Sequence, residues 1–169
     1  MTGPPEERRL VIGADDAGIG LKSALVAYVH ELGFEIDDIG VRASDEAAAA
    51  GIDYPDVAVT VAQGIASGRW TQGILVCGTG IGMAIAANKV PGVRAAQAHD
   101  TYSAERARKS NDAQVVTLGA RVIGVELAKS VVAAFLVSEF AGGASTRKVD
   151  KLVALDRGLV GDRTAAPED

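Results

Sequence analysis

The stretch Cys77-Gly78-Thr79-Gly80-Ile81-Gly82 contains the only cysteine of the chain, followed by three alternating glycines. Ile74-Leu75-Val76 leads straight into it, a short β-branched run that reads as a buried parallel strand. Met83 to Lys89 reads as a helix stopped by Pro91-Gly92. Cys77 therefore falls where a strand ends and a glycine loop opens a helix. Such a junction gathers backbone N–H groups at one point, suits an anion, and eases a thiol toward thiolate. The competing reading is a small buried hydrophobe. A dinucleotide fingerprint would need glycine at Met83, and no Gly-Lys-Ser/Thr exists for a phosphate loop of the Walker type.

Further polar residues follow other strands. Asp15 and Asp16 come after Leu10–Ala14; one is expected to cap the next helix and the other to face the site. His99 and Asp100 come after a strand over 93–98, and Thr79 can cap its helix or relay a proton beside the thiol. Asn111 can be a simple helix end, and Arg147 and Lys148 either surface charges or phosphate clamps. One cysteine with His30 and His99 makes no recognisable metal set, and no nucleophile elbow is present.

The elements that must position these residues alternate. Strands are expected at 10–14, 34–39, 74–77, 93–98 and 115–118. Helices are expected over 21–32, from Tyr54 to near Gly68, at 83–89, 102–109, after Gly124, and over 147–159. The first carries Leu21, Leu25, Val29 and Leu32 inward, with Lys22, Ser23, His30 and Glu31 between them. The fifth carries Leu127, Val131, Phe135 and Leu136. Alternation of this kind gives right-handed crossovers and a parallel sheet covered on both faces, with ligands bound beyond the carboxyl ends of the strands. Asp15, Asp16, Cys77, Thr79 and His99 all fall there.

The chain has 169 residues, 48% of them hydrophobic, which suits one domain over 9–160. Residues 1–8 read as a disordered leader and 161–169 as a tail. The net charge of -5 argues against a nucleic-acid partner. A lone cysteine fits a reducing cytoplasm, and no apolar run is long enough to span a membrane.

Taken together, Gly13-Ala14-Asp15-Asp16-Ala17-Gly18, Asp53-Tyr54-Pro55-Asp56, the Cys77–Gly92 stretch, Ser110-Asn111-Asp112-Ala113, Gly119-Ala120-Arg121-Val122-Ile123-Gly124 and Val149-Asp150 resemble the ribose-5-phosphate isomerase type B and galactose-6-phosphate isomerase family. The resemblance implies a cofactor-free aldose–ketose isomerase of sugar phosphates. It implies a Rossmann-like three-layer α/β/α fold with a five-stranded parallel sheet and a C-terminal helix packing on a dimer partner, the dimers often paired into tetramers. Leu152, Val153 and Leu155 would supply the apolar strip for that partner. Cys77 would be the base that forms a cis-enediolate, and Thr79 would move the proton between oxygens. Asp15, Asp16, Gly78, Gly80, Ile81, Gly82, His99, Ser110, Asn111, Arg121 and Lys148 would bind substrate, Asn111 from the partner.

Three positions depart from the ribose-phosphate pattern. Asp16 and Ser110 stand where histidines are usual, and Gly143-Ala144-Ser145 replaces Gly-Arg-His. The loss at Ser110 removes the ring-opening histidine. That turns the expected substrate from ribose 5-phosphate toward a tetrose 4-phosphate, such as erythrose 4-phosphate or erythrulose 4-phosphate. It also leaves a non-catalytic sugar-phosphate-binding module as the rival reading.

Overall fold

The computed structural model describes residues 9–41 and 52–156. Five parallel strands form one sheet in the order β2-β1-β3-β5-β4. They are β1 (Leu10–Ala14), β2 (Ile36–Gly40), β3 (Gln72–Cys77), β4 (Ala95–Gln97) and β5 (Val115–Gly119). The helices are α1 (Ile19–Glu31), α2 (Tyr54–Ala66), α3 (Ile81–Ala87), α4 (Thr101–Asn111), α5 (Val125–Val137) and α6 (Thr146–Asp156). β1, β3 and β5 are buried throughout, as continuous apolar runs in the middle of a parallel sheet should be.

Successive strand residues point to opposite faces, so each strand feeds two cores. Ile12, Ile74, Val76, Val116 and Leu118 pack with α1, α4 and α5. Val11, Leu75, Cys77 and Val115 pack with α2 and α3. The result is the expected α/β/α sandwich. The Asp53-Tyr54-Pro55-Asp56 stretch starts α2 through a capping box, Asp56 accepting the Asp53 N–H at 3.0 Å.

Several expectations are corrected. Lys22, placed on the polar face of α1, is buried because its ammonium meets the Asp38 carboxylate and the Ile39 carbonyl. Leu32, placed inward, is the exposed C-cap of α1. Leu127 faces outward, and Ala128, Val131, Val132, Phe135 and Leu136 form the buried stripe of α5.

Strand β2 begins at Ile36 rather than Phe34, and β4 is three residues long. At the start of β4 the Gln114 side chain takes the Arg94 N–H at 2.8 Å, in place of a strand partner. The Asn88 amide donates to and accepts from the Ala95 backbone, both at 2.8 Å, and so covers this outer edge. The leader, residues 42–51, the end of the last helix toward Leu159, and the tail lie outside the described residues.

Candidate functional site

Parallel register brings the strand ends together. Ala14 pairs with Val76, and Cys77 pairs with Gly119. The loops after β1, β3 and β5 therefore stand side by side at the carboxyl end of the sheet. Gly18 is the close contact that allows this: a Cβ there would lie 2.5 Å from the Val76 carbonyl oxygen. Gly119 is a second, since its Cβ would lie 2.7 Å from the Thr79 carbonyl oxygen.

Cys77 is 5% exposed, and its Sγ accepts the Gly80 N–H at 3.1 Å. Gly80 has φ +79°, and a Cβ would come within 2.9 Å of the Leu118 backbone, so only glycine fits. Its carbonyl accepts the hydroxyl of fully buried Thr117 at 2.8 Å. The Thr79 hydroxyl accepts the Ile81 N–H at 3.3 Å, and the Thr79 carbonyl accepts the Gln97 side-chain amide at 2.7 Å. Thr79, expected to cap the helix or to serve the thiol, precedes the N-cap, which is Gly80. Tyr54 lies over Gly82, where a Cβ would meet its ring at 2.4 Å.

Both carboxylates of the first loop are in place. Asp15 is buried and accepts the Gly18 N–H at 3.2 Å; Asp16 is exposed and accepts the Ala17 N–H at 2.8 Å. Burial, and next the charge of Asp16, push the Asp15 carboxyl above its ordinary range, against the pull of the Gly18 and Ala17 N–H groups and of Arg121. Asp15 is thus the capping member of the pair, and Asp16 the exposed one. The Arg121 side chain passes within 3.6–3.8 Å of where a Gly78 Cβ would stand, and the Arg121 backbone N–H donates to the Gly78 carbonyl at 3.0 Å.

His99 reaches the same end of the sheet, but its Nε2 accepts the Gly119 N–H at 2.9 Å. That nitrogen is committed to holding β5.

Ser110, Asn111 and Lys148 are not brought to Cys77 within this chain. α4 leaves the carboxyl end and runs back, so Ser110 and Asn111 end up at the amino end of β4 and β5. There Arg94 Nε donates to the Asn111 carbonyl at 3.0 Å, and Asn111 lines a groove with Leu152 and Leu155 of α6. Lys148 is exposed on α6.

Sequence reading missed Gln97, Thr117 and Tyr54 as supports of the loop. A signal existed for the first two: each is a polar residue in an otherwise apolar strand. The cluster as a whole gathers a buried thiol, a carboxylate, a guanidinium and a glycine-built backbone loop at one end of the sheet, a set of groups that suits proton abstraction from a small hydroxylated anion. Among the described residues no His/Cys/Asp/Glu group could hold a metal ion, and no helix is long and apolar enough to cross a membrane.

A family model described as Ribose/Galactose Isomerase matches residues 10–152. A D-erythrulose-4-phosphate isomerase of Pectobacterium atrosepticum is 54% identical over 143 residues, 85% of this chain and 91% of that protein. A ribose-5-P isomerase B of Listeria innocua is 46% identical, covering 88% of this chain and 97% of its own. Among solved structures, Clostridium thermocellum ribose-5-phosphate isomerase B superposes with a TM-score of 0.83 at 38% identity, covering 89% of this chain and 98% of that one.

Proposed function

We propose that this chain, which belongs to the ribose/galactose isomerase family and is a sugar-phosphate aldose–ketose isomerase, uses Cys77 as its base and takes a tetrose 4-phosphate as substrate. The observation that carries the site is the contact of Cys77 Sγ with the Gly80 N–H, at the head of a loop built for close backbone approach. The thiolate takes the proton from the carbon beside the carbonyl. Charge develops on two neighbouring oxygens, and N–H groups of the 78–82 loop and the Arg121 guanidinium stabilise it. The Thr79 hydroxyl passes a proton between those oxygens, and the thiol returns its proton to the neighbouring carbon. Asp15 binds a sugar hydroxyl.

A second copy of the chain completes this site. Asn111 has its side chain exposed at the far end of α4, and Lys148 is exposed on α6, so both are available to another chain's substrate. Leu152 and Leu155, 41% and 52% exposed, mark the apolar strip that a homodimer would cover; a pair of such dimers would make the tetramer. Sugar phosphates are metabolites of the cell interior, and a lone thiol stays reduced there, so the reading includes a cytoplasmic enzyme.

The substrate follows from ring chemistry. A pentose 5-phosphate closes to a furanose and needs an acid–base group to open it. Ser110 offers no such group, and His99 Nε2 is engaged by the Gly119 N–H. A four-carbon sugar 4-phosphate has no free hydroxyl able to close a five-membered ring. The Pectobacterium relative named for erythrulose 4-phosphate supports the same direction. The test compares kcat/KM for erythrulose 4-phosphate and ribose 5-phosphate, with solvent deuterium followed into the carbon beside the carbonyl. Preference for the tetrose with deuterium incorporation is expected. A preference for ribose 5-phosphate that His99→Ala abolishes would refute the ring-opening argument, and no deuterium uptake with either sugar would refute the enediolate.

A further inference from the structure

Two register partners at the edge of the sheet grip two successive carbonyls of the glycine loop. Gln97 of β4 pairs with Thr117 of β5. The Gln97 amide donates to the Thr79 carbonyl at 2.7 Å, and the Thr117 hydroxyl donates to the Gly80 carbonyl at 2.8 Å. The Thr79 carbonyl and the Gly80 N–H belong to one peptide unit. A trans peptide is planar and points these two groups in opposite directions. Holding the carbonyl toward Gln97 therefore aims the N–H the other way, and at its far end lies Cys77 Sγ, 3.1 Å from the Gly80 nitrogen.

This peptide needs a holder. Gly80 has φ +79° and no side chain, so rotation of the unit between Thr79 and Gly80 meets less resistance here than elsewhere in the loop. If the unit turned over, a carbonyl oxygen would face the sulfur and repel a thiolate. The Gly119 notch receives the Thr79 carbonyl without donating to it; among the described residues Gln97 is the donor.

We propose that Gln97 is a positioning residue of the isomerase: its amide fixes the Thr79–Gly80 peptide so that the Gly80 N–H stays on the Cys77 sulfur. The proposal rests on Cys77 being the base. It assigns a task to a side chain that lies outside the substrate-contacting set and acts only through the peptide.

The chain has a single cysteine, so alkylation by iodoacetamide reports on Cys77 alone. Gln97→Met keeps the length of the side chain and removes the donor. Gln97 is exposed on an edge strand, so the substitution leaves both cores intact. The charged and titratable groups on the elements beside the thiol include Asp15 and Asp16 after β1, Arg121 after β5, His99 after β4 and Tyr54 of α2; all remain unchanged.

The expected result is a kcat lowered about tenfold, the scale of a lost hydrogen bond to a charged group, with KM within about twofold. Alkylation at fixed pH should slow, and its pH profile should move upward. Gln97→Glu, which replaces the donor with an acceptor at neutral pH, should shift the profile further the same way. An alkylation profile identical to the parent's in both variants overturns the proposal. Cys77→Ala separates the two readings. Full turnover in Cys77→Ala removes the base assignment itself, whereas loss there with parental alkylation in Gln97→Met removes only the positioning role.

Discussion

At the amino end of the sheet, Arg94 and Arg108 close on Asp112 at 2.9 and 3.3 Å, and both also bind main-chain carbonyls. At the carboxyl end, Cys77, Asp15, Arg121 and the glycine loop come together, held mainly through the backbone. The first region carries as much charge as the second, yet its charges are spent on one another: Asp112 is held with φ +47° to serve two guanidiniums and to end α4. The second region spends its hydrogen bonds on shaping the loop. Polarity that is paired internally fixes a chain reversal, whereas polarity aimed by backbone at an opening is available to a ligand.

The sharpest way to break this contrast is Cys77→Ala. Turnover should fall about 10²- to 10⁴-fold, as expected for loss of a general base, while circular dichroism and the melting midpoint stay close to the parent's. Comparable turnover in a steady-state assay would put the chemistry elsewhere.

Gly80→Ala tests whether the carboxyl-end loop depends on its backbone shape. The new Cβ meets the Leu118 backbone, and the residue must keep φ +79°. Denaturant titration should show a loss of about 1–3 kcal/mol, with a fall in kcat. Normal turnover would mean that the loop tolerates another shape.

Asp112→Ala probes the opposite end. It removes the carboxylate that Arg94 and Arg108, 16% and 13% exposed, both bind. A loss of about 1–3 kcal/mol is expected from denaturant titration. A stability equal to the parent's would show the cluster to be ornamental.

The smallest effect concerns pH. Burial, then the neighbouring Asp16, raise the Asp15 carboxyl, so the folded chain holds that proton more tightly than the unfolded chain. Stability from this group therefore falls as pH rises from the unfolded value near 3.8 to the raised one. Asp15→Asn should raise the melting midpoint modestly at pH 7, with the gain vanishing below about pH 3.8, even as substrate binding weakens. A lowered midpoint at pH 7 would reverse the sign and point to the Gly18 cap as the dominant role.

The runs at 10–14, 74–77 and 115–118 identified the central strands because a strand buried on both faces is apolar almost throughout, Thr117 being the one polar residue among them. The junction at Cys77 was legible for a local reason: strand, glycine loop and helix follow one another within a few residues. The edges were harder, since β2 and β4 are only partly buried and their ends are decided by side chains such as Gln114 and Asn88.

Tertiary structure alone decided three matters. Lys22 is buried because its carboxylate partner, Asp38, lies in the next strand, which helix periodicity cannot reveal. Gln97 reaches the Thr79 carbonyl across the sheet, a contact set by strand order rather than by any motif. Asn111 sits at the end of the sheet opposite Cys77 because α4 is long enough to carry it there. Sequence patterns report which face of an element is apolar; which distant charge or carbonyl an exposed polar group will meet depends on how the elements are arranged around the sheet.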